Sequence, residues 1–486
     1  MDLGLQWRHC VQRYWTDLLS DRYWTPQTVL RSDLLSSSNH VDYTQSQPQH
    51  RDEQFEIPPS SDLFVPAWAP FTPLPSISTF RLKCLTLNVW GLPTAPHMQQ
   101  RTDEICEVLR TNAAGWDVIG LQEAWFHKDQ LGLAHAARIG GLQHSFSFPQ
   151  GVGLPFLPQQ SGTGLMLLSR YPIVYTKYGV NGKPYKPHHG DYYAAKGLAY
   201  AVLMTPVGYV DVFVSHTIAC YDSRGAHGSV APSPAHDEYV HHRLSQIYEI
   251  SQILRLTHAH GAPGRLRVLL ADLNSPTDHV CMRLLHALCP TWRDSHLEAC
   301  TSPNYKPSSS KSQNSSEQSK LWQSTATTLR EADLDMLTSG CPDNNFSTRH
   351  KHPALRIDYV LYDNSDVLLP TTSSTSESWR WLADNSRVWK HRIPNTDIAV
   401  SDHFGVETTF SYCLRDRSTF QPKGAGKPPS ASNPAAVLRE SMQVILEGMK
   451  EVTARRWRHI KRLWLCVLAL FLCTVSILVQ HDFQWE

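Results

Sequence analysis

Several polar residues able to do chemistry fall at the ends of apolar runs. LTLNVWG carries Asn88, and VIGLQEAW carries Glu123. VFVSHT holds Ser215-His216, VLLADLN ends in Asp272 and Asn274, RIDY carries Asp358, and Ser401-Asp402-His403 leads into HFGVETTF. A lone acid or amide in such a place is ordinarily a cap or a turn former. A recurring series is different, because strand ends along one edge of a sheet converge and can build a single cleft. A carboxylate with an amide suits a hard cation such as Mg2+, which takes oxygen ligands and keeps some waters. Histidines with acids nearby suit general-base and electrostatic roles. Mg2+ together with an Asp–His pair suits attack of water on a phosphoryl group. The chain has no HExxH and no CxxC pair, so familiar zinc sites are not indicated. It also lacks GxxxxGK[ST] and GxSxG, which disfavours P-loop nucleotide binding and the common lipase-type serine hydrolases.

The elements that must position these residues follow from the same runs. Residues 82–90, 116–125 and 162–170 read as strands. GLAYAVLMTP and GYVDVFVSH flank a turn at Pro206-Val207-Gly208 and read as a hairpin. Residues 265–274, 356–362 and 403–410 are three more strands. Thr102-Asp103-Glu104 opens a predicted helix with Ile105, Val108 and Leu109 on one face, and Val240, Leu244, Ile247, Ile250 and Leu254 mark another. Strands interspersed with helices, several in hairpins, predict an α/β or α+β layered sandwich.

The 486 residues carry 45 Lys+Arg against 44 Asp+Glu, a formal charge of +1, so there is no whole-chain basic field of the kind that holds nucleic acid. Hydrophobics at 41% and aromatics at 10% suffice for a sizeable core and exclude a wholly disordered chain. Eleven scattered cysteines suit reduced thiols in a cytosolic domain. The start is no secretory signal, since Arg8, Arg13 and Asp17 interrupt it; Trp7 and Trp15 fit an amphipathic helix within residues 1–30. Residues 32–62 read as linker, and Pro59, Pro66, Pro70, Pro73 and Pro75 as an extended lead-in. The Ser-, Lys- and Gln-rich stretch 301–330 reads as a disordered insertion, because strands resume after it.

Residues 1–79 are thus read as an extension, 80–412 as the main domain, 413–434 as a linker, 435–462 as a basic amphipathic helix and 463–479 as a membrane span. Leu438, Met442, Ile445, Met449 and Val452 form a helical apolar seam. Residues 438–452 could pair two chains, but two heptads are marginal, and a helix against its own domain or the bilayer is the blander reading. Leu463–Val479 has no charged residue in 17 positions, enough to cross a bilayer. Arg455, Arg456, Arg458, Lys461 and Arg462 precede it, with Trp457 and Trp464 as interfacial anchors. The positive-inside rule puts that basic side, and the domain before it, in the cytosol. The organelle is not indicated. The basic cluster is also a candidate site for anionic phospholipids.

The ordered set Asn88, Gln122-Glu123, Ser215-His216, Asp272-Leu273-Asn274, Arg356-Ile357-Asp358-Tyr359 and Ser401-Asp402-His403 resembles the endonuclease/exonuclease/phosphatase superfamily, the DNase I-like fold, over about residues 82–412. NGKPYKPHHGDYYAAKG (181–197) is similar to the neutral sphingomyelinase branch, where an HGDW-like segment is followed by lysine; that branch includes the inositol phosphosphingolipid phospholipases C. The resemblance implies a four-layer sandwich, two packed mixed sheets flanked by helices. It also implies Mg2+-dependent phospholipase C chemistry on sphingomyelin or a related membrane phosphosphingolipid, releasing ceramide and a phosphorylated headgroup. By that resemblance Glu123 would hold Mg2+ with Asn88 close by. His403 would be the base that activates water, with Asp358 holding its ring and Asp402 helping to order the metal or its waters. His216 would stabilise charge on the phosphoryl oxygens, and Asp272 and Asn274 would position water and phosphate. Asp191 and Lys196 match a pair tied to substrate access.

This chain departs from the pattern in several places. ADLN stands for the usual GDxN, with Ala271 for glycine, and Tyr192 stands for tryptophan. Residues 220–234 lengthen the loop after His216, beside the expected headgroup pocket, and one apolar span is found where the family often has two. The choice among choline, ethanolamine and inositol headgroups stays open. So do two other functions: a nuclease or other phosphodiesterase of the superfamily, and a catalytically dead tethered interaction protein. Neutral charge and the anchor weigh against the first, and the complete set of key residues against the second. His188 and His189 read as loop residues. His236, His241 and His242 read as a solvated helix face; Asp237 and Glu238, four residues before His241 and His242, make metal a geometric option only.

Overall fold

A computed structural model describes residues 26–27, 79–148, 162–180, 190–192, 194–221, 237–260, 265–299, 336–347, 354–363, 377–416 and 433–482. The expectations for residues 1–30, 32–62 and 301–330, for the prolines of the lead-in, for His188, His189 and His236, and for most of 220–234 and of the linker fall outside them.

The chain builds two mixed sheets. One has six strands in the order β12-β13-β2-β3-β5-β4: β12 is Glu377–Trp389, β13 Gly405–Asp416, β2 Thr79–Asn88, β3 Val118–Gln122, β5 Met166–Ser169 and β4 His144–Ser147. The other has the order β1-β6-β7-β8-β9-β11-β10: β1 is Pro26–Gln27, β6 Ile173–Val180, β7 Gly197–Thr205, β8 Gly208–His216, β9 Arg267–Asp272, β11 Asp358–Asp363 and β10 Trp292–Asp294. β2 and β3 run parallel, as do β8 and β9; the other pairings are antiparallel.

Both faces of each central strand are covered, which is why β3 and β9 read as apolar runs without alternation. Leu82, Cys84, Val118 and Leu167 of one sheet meet Val212, Val214, Val268 and Leu270 of the other in a core between the sheets. At Gly120 the sheets come so close that a Cβ would meet the Leu270 Cβ at 2.9 Å. Helices α1 (Met98–Thr111) and α2 (His127–Ile139) cover the outer face of the first sheet through Ile105, Leu109, Leu133 and Ala137. Helices α3 (Val240–His260) and α4 (Val280–Leu288) cover the second through Leu244, Ile247, Leu254 and Leu285. The short α5 is Ser295–Ala299. The result is helices, sheet, sheet, helices, the layered sandwich expected.

Helix α6 runs unbroken over Pro434–Asp482. Its first turns dock on α3 and α4. Val437 is buried, and Leu438, Val444 and Ile445 pack against the same core. Part of the seam considered for dimerisation is therefore taken up by the chain's own domain. By length and composition, Pro434–Ile477 suits a membrane crossing, and none of its apolar window is buried.

The structure corrects two readings. The helix expected from Thr102 opens at Met98, because His97 already turns the chain at φ 54°. His241 and His242 are not on a solvated face. His241 packs against Gly448 of α6, the two rings lie 4.5 Å apart, and burial, with the neighbouring His241, pushes His242 down to about 3. Asp237 is engaged by Arg243, away from any metal role with those histidines.

Candidate active site

Strand pairing alone gathers the polar strand ends. In the parallel pair β2/β3, Asn88 lies opposite Gln122, so Glu123 emerges beside the Asn88 amide. In β8/β9, His216 lies opposite Asp272; in β9/β11, Asp272 lies opposite Asp358. β13 runs antiparallel to β2 with Val406 opposite Thr86, which brings the residues before it, including His403, back toward Asn88. Glu123 and Asn274 leave their strands at φ 60° and 46°, left-handed turns that point the chain away from the sheet edge at the cleft.

The Asn88 amide joins the two sheets. Its Nδ2 donates to Glu123 Oε1 and to Asp272 Oδ2, each at 3.0 Å, and its Oδ1 accepts from Trp90 N at 2.9 Å. His216 Nε2 lies 3.4 Å from Asp272 Oδ2 and 3.9 Å from Glu123 Oε1. His403 Nδ1 is 2.9 Å from Asp358 Oδ2 and 3.9 Å from Asp272 Oδ2. Ser401 Oγ donates to Asn88 O at 2.6 Å and accepts from His403 N at 3.2 Å, which ties the last loop to β2. Asp402 follows Ser401, its Oδ1 at 3.4 Å from that hydroxyl. Asn274 N donates to Asp272 Oδ1 at 3.0 Å, and its amide donates to Thr217 O at 2.9 Å. Asp191 and Lys196 pair at 2.8 Å, both buried, and Asp191 also accepts from Ala219 N at 2.7 Å. Every residue named as a site candidate is thus at this edge or linked to it.

Burial and like charge set the titration. Burial, then the charge of Asp358, pushes the Asp272 carboxyl up to about 7 against the pull of His403, Lys196 and Asn88. Burial, partly offset by His403 and aided by Glu123, pushes Asp402 up to about 6. Burial opposes a charge on His403, but Asp358, by charge and hydrogen bond, with Asp272 and Asp402, raises its pKa well above the ordinary value. His216 is driven well down by burial, then by Lys196 and His403, and stays neutral.

The cluster is short of positive charge. Asp358 Oδ1 is buried with no hydrogen-bond partner among the described residues, and Asp272, Asp358 and His403 offer ligand atoms all within 4.8 Å of one another. Oxygen donors with little counter-charge fit a hard divalent cation. Because the Asp358–His403 pair is already engaged with itself, Glu123, with Asp272 beside it, would hold it, and Asn88, which turns its N–H groups to both acids and its oxygen to Trp90 N, would orient Glu123. Glu123 is also open enough to leave room for water, its side chain 14% exposed.

Sequence reasoning missed Arg101. In the sequence it is one more base on a helix. In the fold it is 1% exposed and clamps the site loops, donating to Val89 O at 3.0 Å, Trp90 O at 3.0 Å and Val400 O at 3.2 Å while stacking on Trp90. Trp125 was missed too; its Nε1 reaches Glu123 Oε2 at 3.4 Å. Its position after Glu123 was the only signal.

The profile of the Endonuclease/Exonuclease/phosphatase family matches residues 85–403. The chain is 28% identical over 333 residues to a protein of Drosophila melanogaster named putative neutral sphingomyelinase, covering 67% of this chain and 59% of that one. It is 25% identical over 385 residues to the inositol phosphosphingolipids phospholipase C of Saccharomyces cerevisiae, covering 73% and 67%. The chain therefore spans less than two thirds of the fly relative's length. Among solved structures it is similar to sphingomyelinase C from Streptomyces griseocarneus, at 18% identity and TM-score 0.40, over 68% of this chain and 99% of that one.

Proposed function

The chain belongs to the Endonuclease/Exonuclease/phosphatase family, and from that premise we propose that it is a membrane-anchored, Mg2+-dependent phospholipase C acting on sphingomyelin or a related phosphosphingolipid. The observation that carries the reading is the buried cluster in which the Asn88 amide links Glu123 to Asp272 while Asp358 holds His403. Similarity to proteins named for sphingomyelin and inositol phosphosphingolipid hydrolysis supports the substrate class, and α6 supports the anchor.

In this mechanism Glu123, oriented by Asn88, would hold the cation, which would supply positive charge to the phosphoryl oxygens. Asp358 fixes the His403 ring through Nδ1 and leaves Nε2 to take the proton of the attacking water. His216, neutral, donates a hydrogen bond to a phosphoryl oxygen as charge builds there. Asp272 and Asn274 orient water and phosphate, Asp402 orders water beside the base, and the Asp191–Lys196 pair borders the substrate path. The headgroup leaves phosphorylated, and ceramide remains in the bilayer. An anchor on the same chain raises the effective concentration of lipid at the cleft.

The test is turnover of labelled phosphosphingolipids bearing choline, ethanolamine or inositol headgroups, with and without Mg2+. Glu123→Gln should abolish activity without changing the melting temperature, because the loss of one anionic oxygen weakens a hard-cation site. Wild-type turnover of that variant at low Mg2+ would overturn the ligand assignment. Turnover of none of the lipids would overturn the substrate class.

A further inference from the structure

We propose that Arg101 is a positioning residue of the cleft: one buried guanidinium that locks the turn behind Glu123 and the loop that carries His403 into a single geometry, so that the cation side and the base side of the site are set together. Its part in catalysis rests on the function proposed above; the lock itself does not.

Arg101 lies in the first turn of α1, buried, and gives its N–H groups to backbone carbonyls. Nε donates to Pro96 O at 3.0 Å, Nη1 to Val89 O at 3.0 Å and to Val400 O at 3.2 Å, and Nη2 to Trp90 O at 3.0 Å. Val89 and Trp90 directly follow Asn88, and Val400 directly precedes Ser401-Asp402-His403. A planar fork has fixed donor directions, so carbonyls from separate segments are satisfied together only while those segments keep their places. The guanidinium also lies 4.7 Å from the Trp90 ring and 5.6 Å from that of Phe346, and the two rings meet at 5.1 Å. The acids that support its charge are Asp402 and Glu123, one from each side of the cleft.

Backbone strain gives the lock something to hold. Trp90 stands at φ 49° and Glu123 at φ 60°, left-handed conformations that side chains other than glycine keep only where the surroundings impose them. The two are joined through Gly91, whose N donates to Glu123 O at 3.1 Å and whose Cα faces that carbonyl with no room for a Cβ. Trp90 N donates to Asn88 Oδ1 at 2.9 Å. A turn that relaxed at Trp90 would therefore release both the Asn88 oxygen and the Glu123 carbonyl, and Arg101 grips that turn by its Val89 and Trp90 carbonyls. On the base side, Val400 N donates to His391 O at 3.2 Å and Asn344 Nδ2 to Ser401 O at 2.9 Å, which support the loop from the outside. Arg101, with Ser401 Oγ on Asn88 O, ties the same loop across to the exit of β2.

The experiment compares the full chain in nanodiscs with Arg101→Lys, which keeps the charge and loses the fork, and Arg101→Met, which loses both. Hydrogen exchange in EDTA reads the lock without any substrate. The amides of Val89 and Gly91, bonded to Gln122 O and Glu123 O, and that of Val400 should exchange at least about tenfold faster in both variants, the loss of one charge-assisted bond. Amides of the β7–β8 pair in the second sheet, such as Ala201 and Val212, should keep their rates. With Mg2+ and a lipid that the parent chain cleaves, kcat should fall about 10²-fold while KM moves by less than about threefold. Unchanged exchange at the three amides overturns the lock, and equal acceleration in the β7–β8 pair makes Arg101 a general stabiliser instead. Loosened amides with unchanged kcat, or full recovery of kcat by lysine, overturn the positioning role. A parent chain that cleaves none of the lipids refutes the proposed function, and the exchange rates still decide the lock. If neither Arg101 variant folds, Phe346→Leu, which thins the stack on the guanidinium, should accelerate the same three amides severalfold, and unchanged rates there overturn the proposal.

Discussion

Asp272 is in hydrogen-bond contact with Asn88 and lies near both histidines, and burial with the charge of Asp358 raises its carboxyl to about 7. A carboxyl raised on folding binds more protons in the native than in the unfolded state between about pH 4 and 7, so stability falls as pH rises through that window. Raised Asp402 and raised His403 act in the same sense, the histidine at higher pH, whereas lowered His216 acts oppositely below its ordinary value. Asp272→Asn should therefore flatten the fall, by on the order of 4 kcal/mol across the window. Thermal melts of both chains in EDTA from pH 4 to 8 measure it; parallel curves would deny the shift. The two histidines should separate kinetically. His403→Ala should lose about 10²–10⁴-fold in rate, His216→Ala less, and Asp358→Asn an intermediate amount. In kcat/KM against pH at saturating Mg2+, the ascending limb should vanish in His403→Ala alone. Its loss in His216→Ala instead would exchange the roles. These residues were legible because each polar group closes an apolar run. Arg101 was not, since a base on a helix surface and a base buried against four carbonyls have the same spacing in sequence.

Among the elements, the strands that carry the site were legible because burial on both faces makes them continuous apolar runs. β12 was not. Arg380, Asp384, Asn385, Ser386 and Arg387 interrupt it, and its register shifts between Ala383 and Asn385, so no clean period survives. α2 was missed for a related reason: the apolar stripe of HKDQLGLAHAARI is mostly alanine, with Leu133 its one large buried residue. The docking of α6 shows a further limit. Its seam predicted a helix but not which surface the helix meets, and Gly448 supplies that. A Cβ there would lie 2.3 Å from His241 Cγ and 2.6 Å from its Cβ, atoms close to the backbone of α3 that cannot swing aside. Gly448→Val should thus lift α6 from α3 and cost about 1–3 kcal/mol. His241→Ala in the same chain removes the ring but keeps the Cβ that the new side chain meets at 2.6 Å, so it should restore only part of the loss, a coupling that a double-mutant cycle of melting temperatures would measure. Additive effects would mean that the two residues do not meet.

At the scale of the whole molecule, the end from which α6 departs determines which way the cleft faces. Near the start of α3, Arg243 donates to Ile218 O and Ser275 Oγ, just beyond His216 and Asp272, and α4 follows β9 after a short connection, so both helices start at the edge of the proposed cleft. α6 rests on those first turns. Arg283 of α4 holds Glu440 at 2.6 Å, and His241 of α3 packs on Gly448. From Gly448 the helix continues without a break, and Leu463 lies about 22 Å further along it. A single rigid helix departing from the cleft end leaves little freedom for the domain to turn its opposite end to the bilayer. With the span inserted, residues beside the cleft should lie nearer the lipid headgroups than residues at the far end of α3. Tyr192, in the turn next to Asp191, and Leu256 are both exposed and mark the two ends. A fluorescent amino acid at each position, in separate chains reconstituted in vesicles with headgroup-labelled acceptor lipid, reads the difference. Energy transfer should be stronger from 192 than from 256, and deleting residues 455–486 should remove it from both by releasing the chain. Equal or reversed transfer would mean that the domain does not present its cleft to the membrane. Transfer that persists after the deletion and a high-salt wash would place another anchor elsewhere in the chain.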